Sequence, residues 1–172
     1  MDLGSYIRDI PDFPQEGIIF KDITPLLGNA EAFKKAVDTI ANEFADAGVS
    51  KVVGAEARGF IFGGALAYVL GAGFVPARKP GKLPWNTTRA EYDLEYGTDS
   101  LEVHADALGA EDVVLIVDDV LATGGTAAAK CKLALSTGAR VAGFAFLIEL
   151  DFLHGRDKLP DDANIISLIH VE

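Results

Sequence analysis

Val113-Val-Leu-Ile-Val-Asp-Asp-Val-Leu-Ala-Thr-Gly-Gly-Thr126 is the stretch around which this 172-residue chain is organised. Its first five residues, Val113 to Val117, are aliphatic and predict a strand that is buried on both faces in the middle of a parallel sheet. Asp118 and Asp119 come next. Because no apolar layer accepts two carboxylates, we expect them at the carboxyl end of the strand, where open α/β sheets bind their ligands.

The second half of the stretch, Ala122 to Thr126, has the composition of a loop that binds phosphate. Gly124 and Gly125 let the backbone curl until several N–H groups point inward. A helix predicted from Thr126 to Thr137 adds the free N–H groups and the positive dipole of its first turn, and Thr123 and Thr126 add hydroxyl donors. Acceptors for sugar hydroxyls thus lie beside a donor cradle for phosphate, which is the layout of a ribose 5-phosphate.

Plainer interpretations of the stretch remain open at this point. Asp118 and Asp119 could be ordinary loop acids, and Thr123 to Thr126 could be a turn in which Thr126 caps the helix. Two other nucleotide-binding folds are excluded. No Gly-x-x-x-x-Gly-Lys-Ser/Thr accompanies the acidic strand, and Gly71-Ala-Gly73 lacks the third glycine of a dinucleotide fingerprint.

Composition restricts the classes of protein to which the chain can belong. The net charge of −11 argues against nucleic acid or an anionic membrane as the main partner. No apolar run approaches the ~18 residues of a membrane helix, and the acidic start lacks the features of a signal peptide. The single cysteine, Cys131, cannot form an intrachain disulfide, so we expect a reducing cytoplasm.

The remaining segments predict a single α/β domain over residues 1–172, with a central, mostly parallel sheet flanked by helices. Asn29 is expected to cap a helix that carries an apolar stripe from Phe33 to Phe44. Further strands are predicted at 51–55, 74–77, 140–150 and 165–169, and a further helix at 60–70. Residues 1–29 are expected to form an N-terminal cover that begins with a short helix and continues as irregular chain with a short strand at 18–22.

Two further segments have the character of anion sites. Glu56-Ala-Arg-Gly59 follows a strand, and the guanidinium of Arg58 suits a bidentate grip on phosphate. Residues 78 to 89 contain Arg78, Lys79, Lys82 and Arg89 and no acid. A weak surface ion pair and a solvated loop are the respective alternatives. From Pro80 to Gly97 a long loop is predicted, and such loops are usually functional. The scattered histidines predict no metal site.

These motifs resemble those of the type I phosphoribosyltransferases over nearly the whole chain. The opening stretch resembles their phosphoribosyl-pyrophosphate signature, in a version most similar to that of members acting on adenine. Phe20-Lys-Asp-Ile-Thr-Pro25 resembles the hood that closes over the base, about residues 1–29. Gly54-x-Glu-Ala-Arg-Gly-Phe60 resembles the pyrophosphate loop, which often holds a cis peptide, here expected between Glu56 and Ala57. Residues 80–97 resemble the mobile catalytic flap.

The resemblance implies transfer of a phosphoribosyl group from phosphoribosyl pyrophosphate to adenine, with Mg²⁺ bound mainly through the substrate, in a cytoplasmic homodimer. Xanthine, guanine–hypoxanthine or orotate as the base, and a phosphoribosyl-pyrophosphate-sensing regulator, remain alternatives. The implied roles are catalysis for Glu95 and Tyr96; ribose and 5-phosphate binding for Asp118, Asp119, Ala122, Thr123, Gly124, Gly125 and Thr126; pyrophosphate binding for Glu56, Ala57, Arg58, Arg78, Lys79 and Lys82; and base binding for Ile19, Phe20, Lys21 and Leu147.

Overall fold

The computed structural model describes residues 1–94 and 97–172. Its strands are β1 (Arg8–Pro11), β2 (Ile19–Asp22), β3 (Lys51–Ala55), β4 (Gly73–Ala77), β5 (Thr87–Asp93), β6 (Thr98–His104), β7 (Val113–Leu121), β8 (Arg140–Leu150) and β9 (Ile165–Val171). Its α-helices are α1 (Thr24–Gly28), α2 (Ala30–Glu43), α3 (Arg58–Leu70) and α4 (Gly125–Ser136). Short 3₁₀ helices cover Leu3–Tyr6, Asp151–Leu153 and Gly155–Lys158.

A parallel sheet with the order β4-β3-β7-β8-β9 forms the centre of the fold. One face packs against α2 and α3, where Leu115, Val117 and Leu147 are buried. The other face packs against α4 and the β5–β6 hairpin, where Ile116 and Phe146 are buried. The predicted mostly parallel sheet flanked by helices is therefore confirmed, with β7 as its central strand.

The central strand is longer than expected. Val114 to Val117 are fully buried, as predicted, but pairing with β8 continues through Asp118 to Leu121. Asp119 is only 5% exposed. The strand pairing can continue past two carboxylates because each of them pairs with a cation. Lys130 comes from α4 on one face of the sheet, and Arg58 comes from α3 on the other face.

Local signals at the start of α2 give the expected structure. The side chain of Asn29 accepts a hydrogen bond of 3.0 Å from the backbone N–H of Ala32, which is the N-cap arrangement. Phe44 and Ile40 on the apolar stripe of this segment are each 1% exposed. None of the helices among residues 1–94 and 97–172 is long and apolar enough to cross a membrane.

Two hairpins were missed in the sequence. Residues 87–93, expected within a long loop, form β5, which pairs antiparallel with β6. Ala90 on β5 and Leu101 and Val103 on β6 are buried against the core, so the hairpin is held by its apolar side chains. At the N-terminus β2 pairs antiparallel with β1, which the sequence did not indicate.

Candidate active site

A pocket of about 370 Å³ opens at the carboxyl ends of β3 and β7 and beneath β2. It therefore lies where the sequence placed the ligand site. The pocket brings together most of the residues predicted to bind sugar, phosphate or base. Its lining comprises Ile18, Ile19, Phe20, Lys21, Ala55, Glu56, Arg58, Asp118, Asp119, Val120, Leu121, Ala122, Thr123, Gly124, Gly125, Thr126, Ala127, Phe146 and Leu150.

Asp118 is held by a lysine that the sequence did not single out. Lys130 on α4 has no exposed side-chain surface, and its Nζ donates to Asp118 Oδ2 and to the backbone oxygen of Val117, each at 2.7 Å. A buried ammonium requires such partners. On the other side, Gly59 packs so closely that a Cβ there would lie 2.6 Å from Asp118 Oδ1. The carboxylate orientation is thus fixed by Lys130 and Gly59.

Asp119 lies in a less polar environment. Arg58 Nε lies 2.8 Å from Asp119 Oδ2, as an ion pair without the alignment of a hydrogen bond. Burial, and then the neighbouring negative charge of Asp118, raise the pKa of Asp119, while Arg58 opposes both, and the net result is a pKa of about 7. Because its charge is incompletely compensated, this carboxyl can accept hydrogen bonds from a ligand's hydroxyl groups.

The predicted phosphate loop has the backbone form expected of it. Gly124 has φ of +82° and is the N-cap of α4, with no side-chain cap hydrogen bond. The alternative in which Thr126 caps the helix therefore does not apply. The N–H groups of the first turn have no partners within the helix, and they border the pocket at Gly125 and Thr126. This arrangement is a cradle for an anion.

The turn after β3 has the cis peptide bond expected between Glu56 and Ala57. Glu56 lines the pocket, but its carboxylate points to the basic segment. Its Oε2 accepts from Arg78 Nη2 at 2.8 Å and from Arg78 Nε at 3.1 Å, and its Oε1 accepts from the backbone N–H of Lys79 at 2.9 Å. The hydrogen bonds from Arg78 and then Lys79 hold the pKa of Glu56 below its usual value.

The basic segment itself stands away from this pocket. Arg78, Lys79 and Lys82 are not among the lining residues. Arg78 also donates to the backbone oxygen of Lys82 at 3.2 Å, and Lys79 forms an ion pair with Asp99 of β6. Within the described residues, the arginine that reaches the predicted sugar and phosphate sites is Arg58. Ala57, exposed beside it, does not line the pocket.

The N-terminal hairpin of β1 and β2 places the aromatic ring of Phe20 at the pocket. The guanidinium carbon of Arg58 lies 4.8 Å from the ring centroid of Phe20, a cation–π contact. Phe13 packs edge-on against the same ring, with centroids 5.1 Å apart. Lys21 Nζ is held by Asp9 Oδ1 at 2.7 Å across the β1–β2 pair. Ile19 remains 57% exposed.

The remaining predicted residues are placed differently. Leu147, predicted to contact a base, is fully buried among core residues and does not line the pocket, whereas its neighbour Phe146 does. Glu95 and Tyr96, predicted to be catalytic, lie outside the described residues. Among the described residues, Glu149, Asp151 and His170 bring potential metal ligands within 4.8 Å of one another, but Arg156 occupies both oxygens of Glu149.

Two charged residues of structural weight were missed in the sequence, Lys130 and Arg156. Lys130 is the one basic residue between Thr126 and Cys131, and its position one helical turn after Thr126 was the available signal. Arg156 forms a pair with the buried Glu149 of β8. The only signal for that pair was an acid near the end of an otherwise apolar strand.

Comparisons with known proteins agree with the family that the sequence motifs resemble. A model of the phosphoribosyl transferase domain matches residues 26–172. An adenine phosphoribosyltransferase of Solidesulfovibrio magneticus is 57% identical over 159 residues, which cover 92% of this chain and 93% of that protein. The crystal structure of adenine phosphoribosyltransferase from Thermoanaerobacter pseudethanolicus superposes with a TM-score of 0.94, at 54% identity and with 98% of each chain covered. That of Saccharomyces cerevisiae, complexed with an imino-altritol bisphosphate and adenine, has a TM-score of 0.89 and 42% identity over 96% of each chain.

Proposed function

This chain belongs to the phosphoribosyltransferase family, and from that premise we propose that it transfers the phosphoribosyl group of 5-phosphoribosyl 1-pyrophosphate to adenine, giving AMP and pyrophosphate in purine salvage. The observation that carries the proposal is the joining of two carboxylates and a phosphate-type loop in one pocket. Asp118, Asp119 and the loop Ala122–Thr126 all line it. The relatives named adenine phosphoribosyltransferase support adenine as the base.

Asp118 and Asp119 accept hydrogen bonds from the ribose hydroxyls, and the loop Ala122–Thr126 binds the 5-phosphate. Support for the first role comes from the fixed orientation of Asp118 and from Oδ2 of Asp119, which has no hydrogen-bond partner among the described residues. Support for the second comes from the free N–H groups at the start of α4. Because both groups hold the sugar rigidly, the reacting carbon is positioned before the base attacks.

As pyrophosphate leaves, positive charge builds at the anomeric carbon of the ribose. The enzyme must favour that charge, neutralise the leaving group and exclude water. The two aspartates place negative charge beside the sugar, and Arg58 stands at the edge of the pocket with a guanidinium suited to phosphate. In this proposal the pyrophosphate extends from the pocket towards the basic segment, where it meets Glu56, Ala57, Arg78, Lys79 and Lys82. Glu56 holds Arg78 in place there.

Base binding falls to the N-terminal hood, about residues 1–29. Among the described residues β2 pairs with β1 alone, so the backbone of Ile19 and Phe20 has a free edge beside the pocket. A backbone N–H and C=O together match the acceptor and donor of adenine, whereas guanine or hypoxanthine would face like groups. The ring of Phe20 packs on the base, and Lys21 borders the base site from the same strand while Asp9 holds its ammonium group. Leu147, which lies on the opposite face of β8 from Phe146, is proposed to act on the base site only through the backbone that joins it to Phe146.

Glu95 and Tyr96 are proposed to act on the base and its proton when the flap, about residues 80–97, closes. Mg²⁺ is proposed to bind mainly through phosphoribosyl pyrophosphate. Mg²⁺ keeps several waters and takes one or two carboxylates together with substrate phosphates, and Asp118 and Asp119 at the pocket fit that donor set. When bound, the ion shares the negative charge of the leaving pyrophosphate.

We place the enzyme in the cytoplasm as a homodimer. The reduced, buried Cys131 fits a reducing compartment, and the net charge of −11 disfavours nucleic acid. Support for a dimer comes from α3, which has no charged residue after Arg58 and exposes Ile61, Tyr68 and Val69 by 42%, 88% and 51%. Sedimentation of wild-type protein and of a Tyr68→Glu variant tests the dimer, and a monomeric wild type would contradict it.

Substitution of the two acids tests the proposed reaction. Asp118→Asn and Asp119→Asn each remove a charged acceptor worth ~1.5–3 kcal/mol, so the kcat/KM for AMP formation from adenine and phosphoribosyl pyrophosphate should fall roughly ten- to hundred-fold. Asp46→Asn, an exposed acid just after α2, is the matched control and should be neutral. A folded double variant with wild-type kcat/KM would refute the assignment of the sugar site.

A further inference from the structure

An ion pair outside the pocket joins the end of β8 to the turn that follows it. Arg156 donates from Nε to Glu149 Oε1 at 2.6 Å and from Nη2 to Glu149 Oε2 at 2.7 Å, a bidentate pairing. Glu149 is 4% exposed, whereas the Arg156 side chain is 42% exposed. The hydrogen bonds from Arg156 hold the pKa of Glu149 below its usual value despite this burial. The guanidinium of Arg156 therefore neutralises the buried carboxylate of Glu149, whose position is set by β8.

The turn that carries Arg156 contacts the phosphate loop, backbone against backbone. A Cβ on Gly124 would lie 2.2 Å from the carbonyl oxygen of Gly155, and a Cβ on Gly155 would lie 2.3 Å from the carbonyl oxygen of Ala122. Neither contact has a side chain in between. A shift of Gly155 must therefore move the loop Ala122–Thr126, or leave a gap behind it.

Within the described residues, few side-chain contacts fix the middle of this turn. It consists of two 3₁₀ helices, Asp151–Leu153 and Gly155–Lys158, joined at His154, which has φ of +51°. Helices of this kind have poor hydrogen-bond geometry and gain little stability alone. Phe152 and Leu153 are exposed by 55% and 38%. The pair of Asp151 with His170 holds the near end, and Leu159, 4% exposed, anchors the far end. The Arg156–Glu149 pair is left to hold the middle.

We propose that Arg156 is a positioning residue for the binding of the substrate's 5-phosphate. Through its pair with Glu149 it holds Gly155 against Gly124 and Ala122, and so keeps the N–H groups of the phosphate loop aimed at one point. The inference rests on the proposed assignment of this loop to phosphate. It adds a residue that lies outside the pocket and contacts no substrate.

The other charged groups around Glu149 do not replace this pairing. His170 Nδ1 lies 2.9 Å from Asp151 Oδ1 and 3.9 Å from Glu149 Oε2. His170 and Asp151 thus pair with each other beside Glu149, at the edge of the cluster. Because both oxygens of Glu149 accept hydrogen bonds from Arg156, we infer that the cluster of Glu149, Asp151, Arg156 and His170 holds the turn in position.

The test compares Arg156→Met, which keeps the aliphatic stem, with Arg140→Met, an exposed arginine at the start of β8. We expect Arg156→Met to raise the KM and Kd for phosphoribosyl pyrophosphate roughly ten-fold, while the KM for adenine changes by less than about two-fold. Millimolar guanidinium should restore much of the lost affinity for phosphoribosyl pyrophosphate, because it can donate to the two oxygens of Glu149 in place of the Arg156 side chain. Glu149→Gln should show the same selective loss without rescue, and Arg140→Met should show neither.

Unchanged affinity for phosphoribosyl pyrophosphate in both Arg156→Met and Glu149→Gln would overturn the proposal. An equal rise in the KM values for both substrates, without guanidinium rescue, would also overturn it, because a merely structural role gives that result. Thr126→Ala in the wild-type background tests the phosphate assignment separately. If Thr126→Ala weakens phosphoribosyl pyrophosphate binding and the Arg156 variant does not, the positioning role alone fails. If Thr126→Ala has no effect, the assignment of the loop fails.

Discussion

Replacement of Lys130 by methionine probes how the sugar-binding acids are held. The side chain of Lys130 has no exposed surface, and its two contacts are each 2.7 Å long. Methionine fills a similar volume but leaves Asp118 and the carbonyl oxygen of Val117 without this donor. Breaking a buried ion pair costs ~3–5 kcal/mol. Because the Asp118 side chain keeps 13% of its surface exposed, water compensates in part, and we expect a loss near ~3 kcal/mol in the free energy of unfolding.

The same substitution should change the protonation of the site. Asp118 would then face Asp119, whose pKa is already about 7, without its neutralising ammonium. One of the two carboxyls should hold a proton at neutral pH, so phosphoribosyl pyrophosphate should bind at least ~10-fold more weakly. Urea unfolding measures the stability, and calorimetry measures the binding.

Two further variants make the prediction specific. Lys132→Met, an exposed lysine on the same helix, should change stability by less than ~0.5 kcal/mol. The double variant Lys130→Met/Asp118→Asn removes both charges and should regain at least about half of the lost stability, but not the binding. Wild-type stability in Lys130→Met, or additive losses in the double variant, would refute the reasoning.

Three further predictions concern pH, the loop glycine and the hood. The folded-state pKa of Asp119 is raised from 3.8 to about 7, so its contribution to stability is present below about pH 4 and is lost as the pH rises to about 7. Urea titrations of Asp119→Asn should lack that decline in stability. A decline identical to that of the wild type would count against the raised pKa. Gly124→Ala should lose stability by more than ~1 kcal/mol and should weaken phosphoribosyl pyrophosphate binding. The control Gly48→Ala, at a residue with φ of +69° and open space around it, should leave binding unchanged. Equal binding in the two variants would contradict the role of Gly124. Asp9→Asn releases the ammonium of Lys21 towards the pocket, so the kcat/KM ratio of adenine to hypoxanthine should fall by about ten-fold, and an unchanged ratio would exclude this role for Asp9.

The parts of the fold that the sequence predicted are those set by local patterns. The apolar run Val113 to Val117 predicts the central strand, and Asn29 predicts the start of α2, because neighbouring residues decide both. The hairpin of β5 and β6 was missed, since its strands depend on pairing with each other and carry charged side chains on their exposed face. Its buried side chains, such as Leu101, gain their partners from distant segments.

The candidate site divides in the same way. The acids and the glycine loop are contiguous, so the sequence places them together in one pocket. Lys130, Arg156 and the contact of Gly155 with Gly124 depend on packing between separate elements, and a single sequence carries no direct record of it. Gly124 shows what the sequence leaves out. A side chain there would run into the carbonyl group of Gly155, whereas the sequence indicates only that the loop needs a flexible backbone.

The choice of base tests the central claim most directly. Purified wild-type protein should be assayed with phosphoribosyl pyrophosphate, Mg²⁺ and each of adenine, guanine, hypoxanthine and xanthine, with nucleotide formation followed for each. We predict a kcat/KM for adenine at least ~100-fold above that for the other three, because unpaired buried groups penalise the 6-oxo bases. Comparable turnover of any of those three would contradict the proposed reaction.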